Sequence, residues 1–121
     1  MTAGTLLARL DALRPNACAE SEKLRWLERL DGQIARELCL THEGGAETER
    51  DAPYTAATEL LAPEPYGEEV YLSYLLAQID LANAEIEKYD QSAALFAAAW
   101  RALADDLNRR SAPKGASRFV F

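Results

Sequence analysis

From Leu60 to Arg110 the chain reads LLAPEPYGEEVYLSYLLAQIDLANAEIEKYDQSAALFAAAWRALADDLNRR, and this stretch leaves little choice of architecture. It carries two apolar runs at helical spacing with only a short polar break between them. In the first, Val70, Tyr71, Leu72, Tyr74, Leu75, Leu76, Ile79, Leu81 and Ile86 go nearly all the way round a helix expected from about Gly67 to Lys88. An apolar surface that wide marks a central helix with more than one packed neighbour. Glu68 and Glu69 in its first turn and Lys88 in its last suit the helix dipole. In the second run, Phe96, Trp100, Leu103 and Leu107 form a stripe at i, i+4, i+7 and i+11, with Trp100 expected in the core and Asp90 as N-cap. Alanines at 93, 94, 97, 98, 99 and 102 leave room for close helix approach. A break confined to Lys88–Gln91 forces the two helices into an antiparallel hairpin.

Two further helices are expected before the hairpin. Leu6, Leu7, Leu10 and Leu13 recur at helical spacing from Thr5 to Arg14, and Pro15 with Asn16 ends that run. A second helix begins near Glu20, with Ser21 as a candidate cap, and lines one face with Leu27, Leu30, Ile34 and Leu38, widened by Leu24 and Trp26. Arg25 with Arg29, and Glu28 with Asp31, read as solvated neighbours on its other face. Gly32 marks either close packing or a kink.

Periodicity is lost between Thr41 and Tyr66. Gly44, Gly45, Pro53, Pro63 and Pro65 with Glu43, Glu47, Glu49 and Asp51 make an acidic connection far longer than the usual 2 to 8 or so residues between packed helices. Tyr54 to Leu61 within it reads as a strand, as a docking segment, or as a cap of Leu60 and Leu61 over their own core. The expected class is therefore all-α: a four-helix bundle-like domain over residues 1–110, with a long irregular 41–66 loop and a C-terminal tail over 111–121.

The chain has 121 residues, 49% of them hydrophobic, which suits one domain with one core. Its apolar runs stop well short of the ~20 residues needed to cross a bilayer, so no membrane span is expected. No export leader is expected from MTAGTLLARLDALRP, and Cys18 and Cys39 accordingly read as reduced thiols. The net charge of −7 is uneven: residues 1–90 hold 8 Lys and Arg against 18 Asp and Glu, whereas residues 91–121 hold 5 against 2. Such an acidic body disfavours nucleic-acid binding, which draws its affinity from cations on phosphate.

The sequence gives no positive sign of catalysis. His42 is the only histidine, and with Glu43 and Glu47 on a Gly-rich loop it lacks the spacing of a metal site. No phosphate-cradling glycine pattern, zinc motif or nucleophile elbow is present. Asp80, Glu85 and Glu87 read as a solvated face, and Gln78, Asp80 and Asn83 as a hydrogen-bonded layer between helices. Tyr71, Tyr74 and Tyr89 read as core and interface residues rather than base-stacking groups, because aromatic readers of single strands sit in basic grooves. No enzyme activity, metal or cofactor is expected.

The order PYxxxxYxxYLxAQIDxxNxExxxYxxSxxxFxxAWxxxxxxxNR, carried by Pro65, Tyr66, Tyr71, Tyr74, Leu75, Ala77, Gln78, Ile79, Asp80, Asn83, Glu85, Tyr89, Ser92, Phe96, Ala99, Trp100, Asn108 and Arg109, resembles small prophage proteins of capsid gene modules. These are close in plan to the head-tail connectors of tailed bacteriophages. The opening LxPNxxxxxxKxRWLxxLDGxI and the closing NRxxxPK extend the resemblance over nearly the whole chain; Ala19 departs from it where relatives place a capping Ser or Thr. The resemblance implies a structural virion protein, made in the bacterial cytoplasm, that forms a homo-oligomeric ring under the portal. Its partners would be the portal protein and a tail-side connector or tail completion protein, with DNA passing nearby without specific binding. On this reading Tyr54, Leu60, Leu61 and Tyr66 are candidate subunit contacts. The basic tail with its apolar end, Arg109, Arg110, Lys114, Arg118, Phe119, Val120 and Phe121, is the candidate portal-docking element. The alternative is a non-enzymatic helical adaptor or regulatory protein that binds one protein partner through the 41–66 loop.

Overall fold

The computed structural model describes residues 1–39 and 53–110, and among them the chain forms four helices and no strand. Helix α1 spans Ala3–Leu13, α2 Glu20–Ile34, α3 Tyr66–Ala82 and α4 Ile86–Arg110. The class is all-α, as expected.

The oxygen of the Thr2 side chain accepts the Thr5 amide and so caps α1. Leu6, Leu7 and Leu10 then bury one face of it, whereas Leu13 is 63% exposed. Helix α2 starts with Ala19 in the cap position and no side-chain bond there; Ser21 lies inside the first turn. Leu27, Leu30 and Ile34 are fully buried, and Leu38 nearly so. Three residues beyond Gly32 the helix widens into a π-helical turn, Ala35–Cys39. An added Cβ at Gly32 would meet only the tip of the Arg36 side chain, so close packing does not explain this glycine.

The hairpin turn lies earlier than Lys88–Gln91. Helix α3 ends at Ala82 because Ala84 takes a left-handed conformation (φ 57°), with its amide bonded to the Leu81 carbonyl at 3.0 Å and that of Glu85 to the Asp80 carbonyl at 2.9 Å. This is the Schellman closure, usually built on glycine. Asp90 therefore lies inside α4 and is no N-cap.

The stripe of α4 is also rotated from the expected one. Ser92, Ala99, Leu103 and Asp106 are the buried positions, while Phe96, Trp100 and Leu107 sit half-buried on its flank. Trp100 is thus not the deepest residue of the helix; Leu103 is. On α3, Val70, Tyr71, Leu75 and Ile79 are fully buried, consistent with a central position.

Candidate functional site

Residues 53–65 cross the helices without regular structure of their own. Their one ladder contact is an isolated antiparallel bridge between Thr2 and Glu59. The amides of Ala3 and Gly4 donate to the carbonyls of Thr58 and Ala56, both at 2.8 Å, and that of Leu60 to the Met1 carbonyl at 3.0 Å. Two glycines let the segment lie close. A Cβ on Gly4 would come within 3.0 Å of the Ala56 carbonyl oxygen, and one on Gly67 within 2.7 Å of that of Ala62.

This course covers two of the candidate subunit contacts within the chain itself. Tyr54 and Leu60 are each only 8% exposed, folded onto the core of their own chain. Burial of these two groups in place satisfies the hydrophobic drive that made them look like an interface. Leu61 and Tyr66 remain half-buried. In the candidate docking set, Arg109 is exposed at the end of α4, its guanidinium 3.6 Å from Asp106. Arg110 ends the helix, and its side chain, like Lys114, Arg118, Phe119, Val120 and Phe121, lies outside the described residues, as does His42.

The polar centre of the fold is Asp31, which is 1% exposed and not a solvated neighbour of Glu28. Its carboxylate accepts the Tyr71 hydroxyl at 2.5 Å, the Tyr54 hydroxyl at 2.7 Å and the Leu61 amide at 3.3 Å. Tyr71 in turn accepts the Ala62 amide at 2.8 Å. Burial, and then the charge of Asp31, push the Tyr71 phenol well above its ordinary range. The hydroxyl therefore stays protonated and donates, which holds a shape rather than moving a proton.

A second buried carboxylate, Asp80, ties three elements together. It accepts the Ser92 hydroxyl of α4 at 2.9 Å and pairs with the Arg14 guanidinium from the end of α1. Nearby in sequence, buried Lys23 donates to Asp11 at 2.9 Å and to Asn16 at 3.3 Å, and this bond holds the Asp11 carboxyl below its usual range. Removing Arg14 would leave Asp80 a buried charge without that cation, a loss far more costly than the pair is stabilising.

On the hairpin flank Tyr74, Phe96 and Trp100 form a tilted ladder, with ring centroids 5.4 and 5.8 Å apart. Among the described residues, the large apolar side chains turned to solvent are Leu13, Leu81, Ile86 and Leu95. Sequence spacing placed the ladder's two α4 residues in the core stripe, and Leu81 and Ile86 on the buried surface of the central helix. The signal that could have found the turn between them was Asn83, a residue tolerant of helix ends.

Among the described residues no group of three or more His, Cys, Asp or Glu is placed to hold a metal, and no helix is long and apolar enough to cross a membrane. Compared with protein-family models, with curated proteins and with solved structures, the chain matches none.

Proposed function

We propose that the protein is a non-enzymatic structural subunit of a phage or prophage head-tail connector, assembling as a ring beneath the portal and joining the DNA-filled head to the tail. What carries the reading is where the connector-like residue pattern falls. Asp80 and Ser92, Tyr74 with Phe96 and Trp100, Asp31 with Tyr71, and Lys23 with Asn16 all belong to the pattern, and they make contacts within and between the helices and to the α1–α2 connection. A pattern spread over such contacts is a signature of this architecture rather than of a reaction. The acidic body suits a channel wall, since like charge lets DNA pass without sticking. With Tyr54 and Leu60 turned inward, the apolar groups that the described residues leave for neighbours are Leu13, Leu81, Ile86 and Leu95, beside half-buried Leu61 and Tyr66. A repeated head-to-tail contact between such patches closes into a ring when its rotation allows.

The test is electron microscopy of particles, or of the protein mixed with its portal. A ring at the capsid vertex is expected. Density in the tail tip or the capsid shell, or absence from particles, overturns the reading.

A further inference from the structure

We propose that residues 53–62 form a strap that opens as a unit of its own, held shut by the carboxylate of Asp31. The inference does not depend on the connector reading.

The strap is secured differently from the helices it crosses. Its Pro53, Thr55, Ala56, Ala57 and Glu59 are exposed, and its buried apolar groups are Tyr54, Leu60 and Ala62. Its internal bonds make one local turn, with the Thr55 amide donating to the Thr58 hydroxyl at 2.9 Å and the Thr58 amide to the Thr55 carbonyl at 3.0 Å. Towards α2 and α3 its hold converges on one point: the Tyr54 hydroxyl and the Leu61 amide both end on Asp31, and the Ala62 amide ends on the tyrosine that itself donates to Asp31. Glu28 adds a bond from the Tyr54 amide at 3.3 Å.

Elements with few buried apolar contacts open before the global unfolding that releases packed helices. In the strap those contacts are few, and its polar hold on α2 and α3, Glu28 aside, gathers at Asp31. Once Asp31 loses its acceptors, two phenols and an amide lose partners together. The α3–α4 hairpin loses the Tyr71 side-chain bond but keeps its amide bonds, which run within each helix. At Gly4 and Gly67 the strap's backbone lies directly against the helices with no side chain between. Opening bares Tyr54 and Leu60, two of the groups whose pattern in sequence reads as an interface.

Amide hydrogen exchange of the full chain, read residue by residue at low denaturant, tests this. The amides of Ala3, Gly4, Tyr54, Leu61 and Ala62 report the strap, and those of Leu75 and Leu103 report the hairpin. In the parent protein the strap set should exchange faster than the hairpin set, through a shared opening. Asp31→Asn should speed the strap set by about ten-fold or more, the scale of one charged hydrogen bond, and leave the hairpin set unchanged. Tyr54→Phe, which removes a single donor, should do the same more weakly and serves if Asp31→Asn does not fold. One common rate for both sets in the parent, an equal acceleration of both sets in a variant, or a strap set that Asp31→Asn leaves untouched would overturn the proposal.

Discussion

Gly67 has no room for a side chain: an added Cβ would lie 2.7 Å from the Ala62 carbonyl oxygen and 2.9 Å from its carbonyl carbon, both backbone atoms that cannot swing aside. Gly67→Ala should therefore destabilise the fold by about 1 to 3 kcal/mol, the usual scale of overpacking, although alanine is the better helix former. Chemical denaturation would show an unchanged or raised midpoint if the strap does not press on α3. Tyr71 gives a second expectation. Its folded pKa is raised above its unfolded value of 10.0, so its contribution to stability is complete below that pH and is lost as pH rises beyond it, when the unfolded chain ionises and the folded one does not. Stability measured from pH 8 to 11 should fall across that limb in the parent. The fall should be shallower in Tyr71→Phe.

At the scale of elements, the turn between α3 and α4 is where a single substitution should help. Ala84 at φ 57° bears the steric cost of the left-handed region that glycine avoids. Ala84→Gly should raise stability by roughly 0.5 to 1 kcal/mol, the left-handed relief less the added chain entropy. A lower melting temperature in a thermal scan would contradict it. The same turn shows what sequence can and cannot say here. Apolar periodicity depends on side chains that must find the core, so Leu6, Leu7 and Leu10 in α1 and Leu27, Leu30 and Ile34 in α2 were legible as inner faces, and all are buried. A closure made of backbone bonds around an alanine leaves only the faint mark of Asn83, and Asp90 offered a more conspicuous cap four residues into α4. Asp31 was illegible for a related reason. Beside Glu28 it looks like one more surface acid, and only the tertiary path of residues 53–62 and the packing of α3, which no local pattern encodes, bring Tyr54 and Tyr71 over it.

At the scale of the whole molecule, the described helices are complete without residues 112–121. Deleting them should leave helicity and melting temperature nearly unchanged and, on the connector reading proposed above, abolish attachment to a portal, since a basic segment with an apolar end suits an acidic groove or sheet edge on a partner. Circular dichroism and co-sedimentation with the portal are the measurements. Loss of the fold, or undiminished attachment, would remove the tail from docking.

The ties at Asp80 bear on the order in which the molecule forms. Its bond to Ser92 closes a loop of 12 residues, its bond to Arg14 one of 66, and the bond from Tyr71 to Asp31 one of 40. Short closures forfeit less chain entropy, so the hairpin should condense first and recruit α1, α2 and the strap afterwards. In refolding kinetics, Leu75→Ala and Ala99→Gly should slow folding, with φ-values above about 0.5, whereas Tyr54→Phe should act mainly on the unfolding rate. A nascent chain would thus hold residues 1–39 unpaired until the hairpin, the last of the described helices to be synthesised, had emerged.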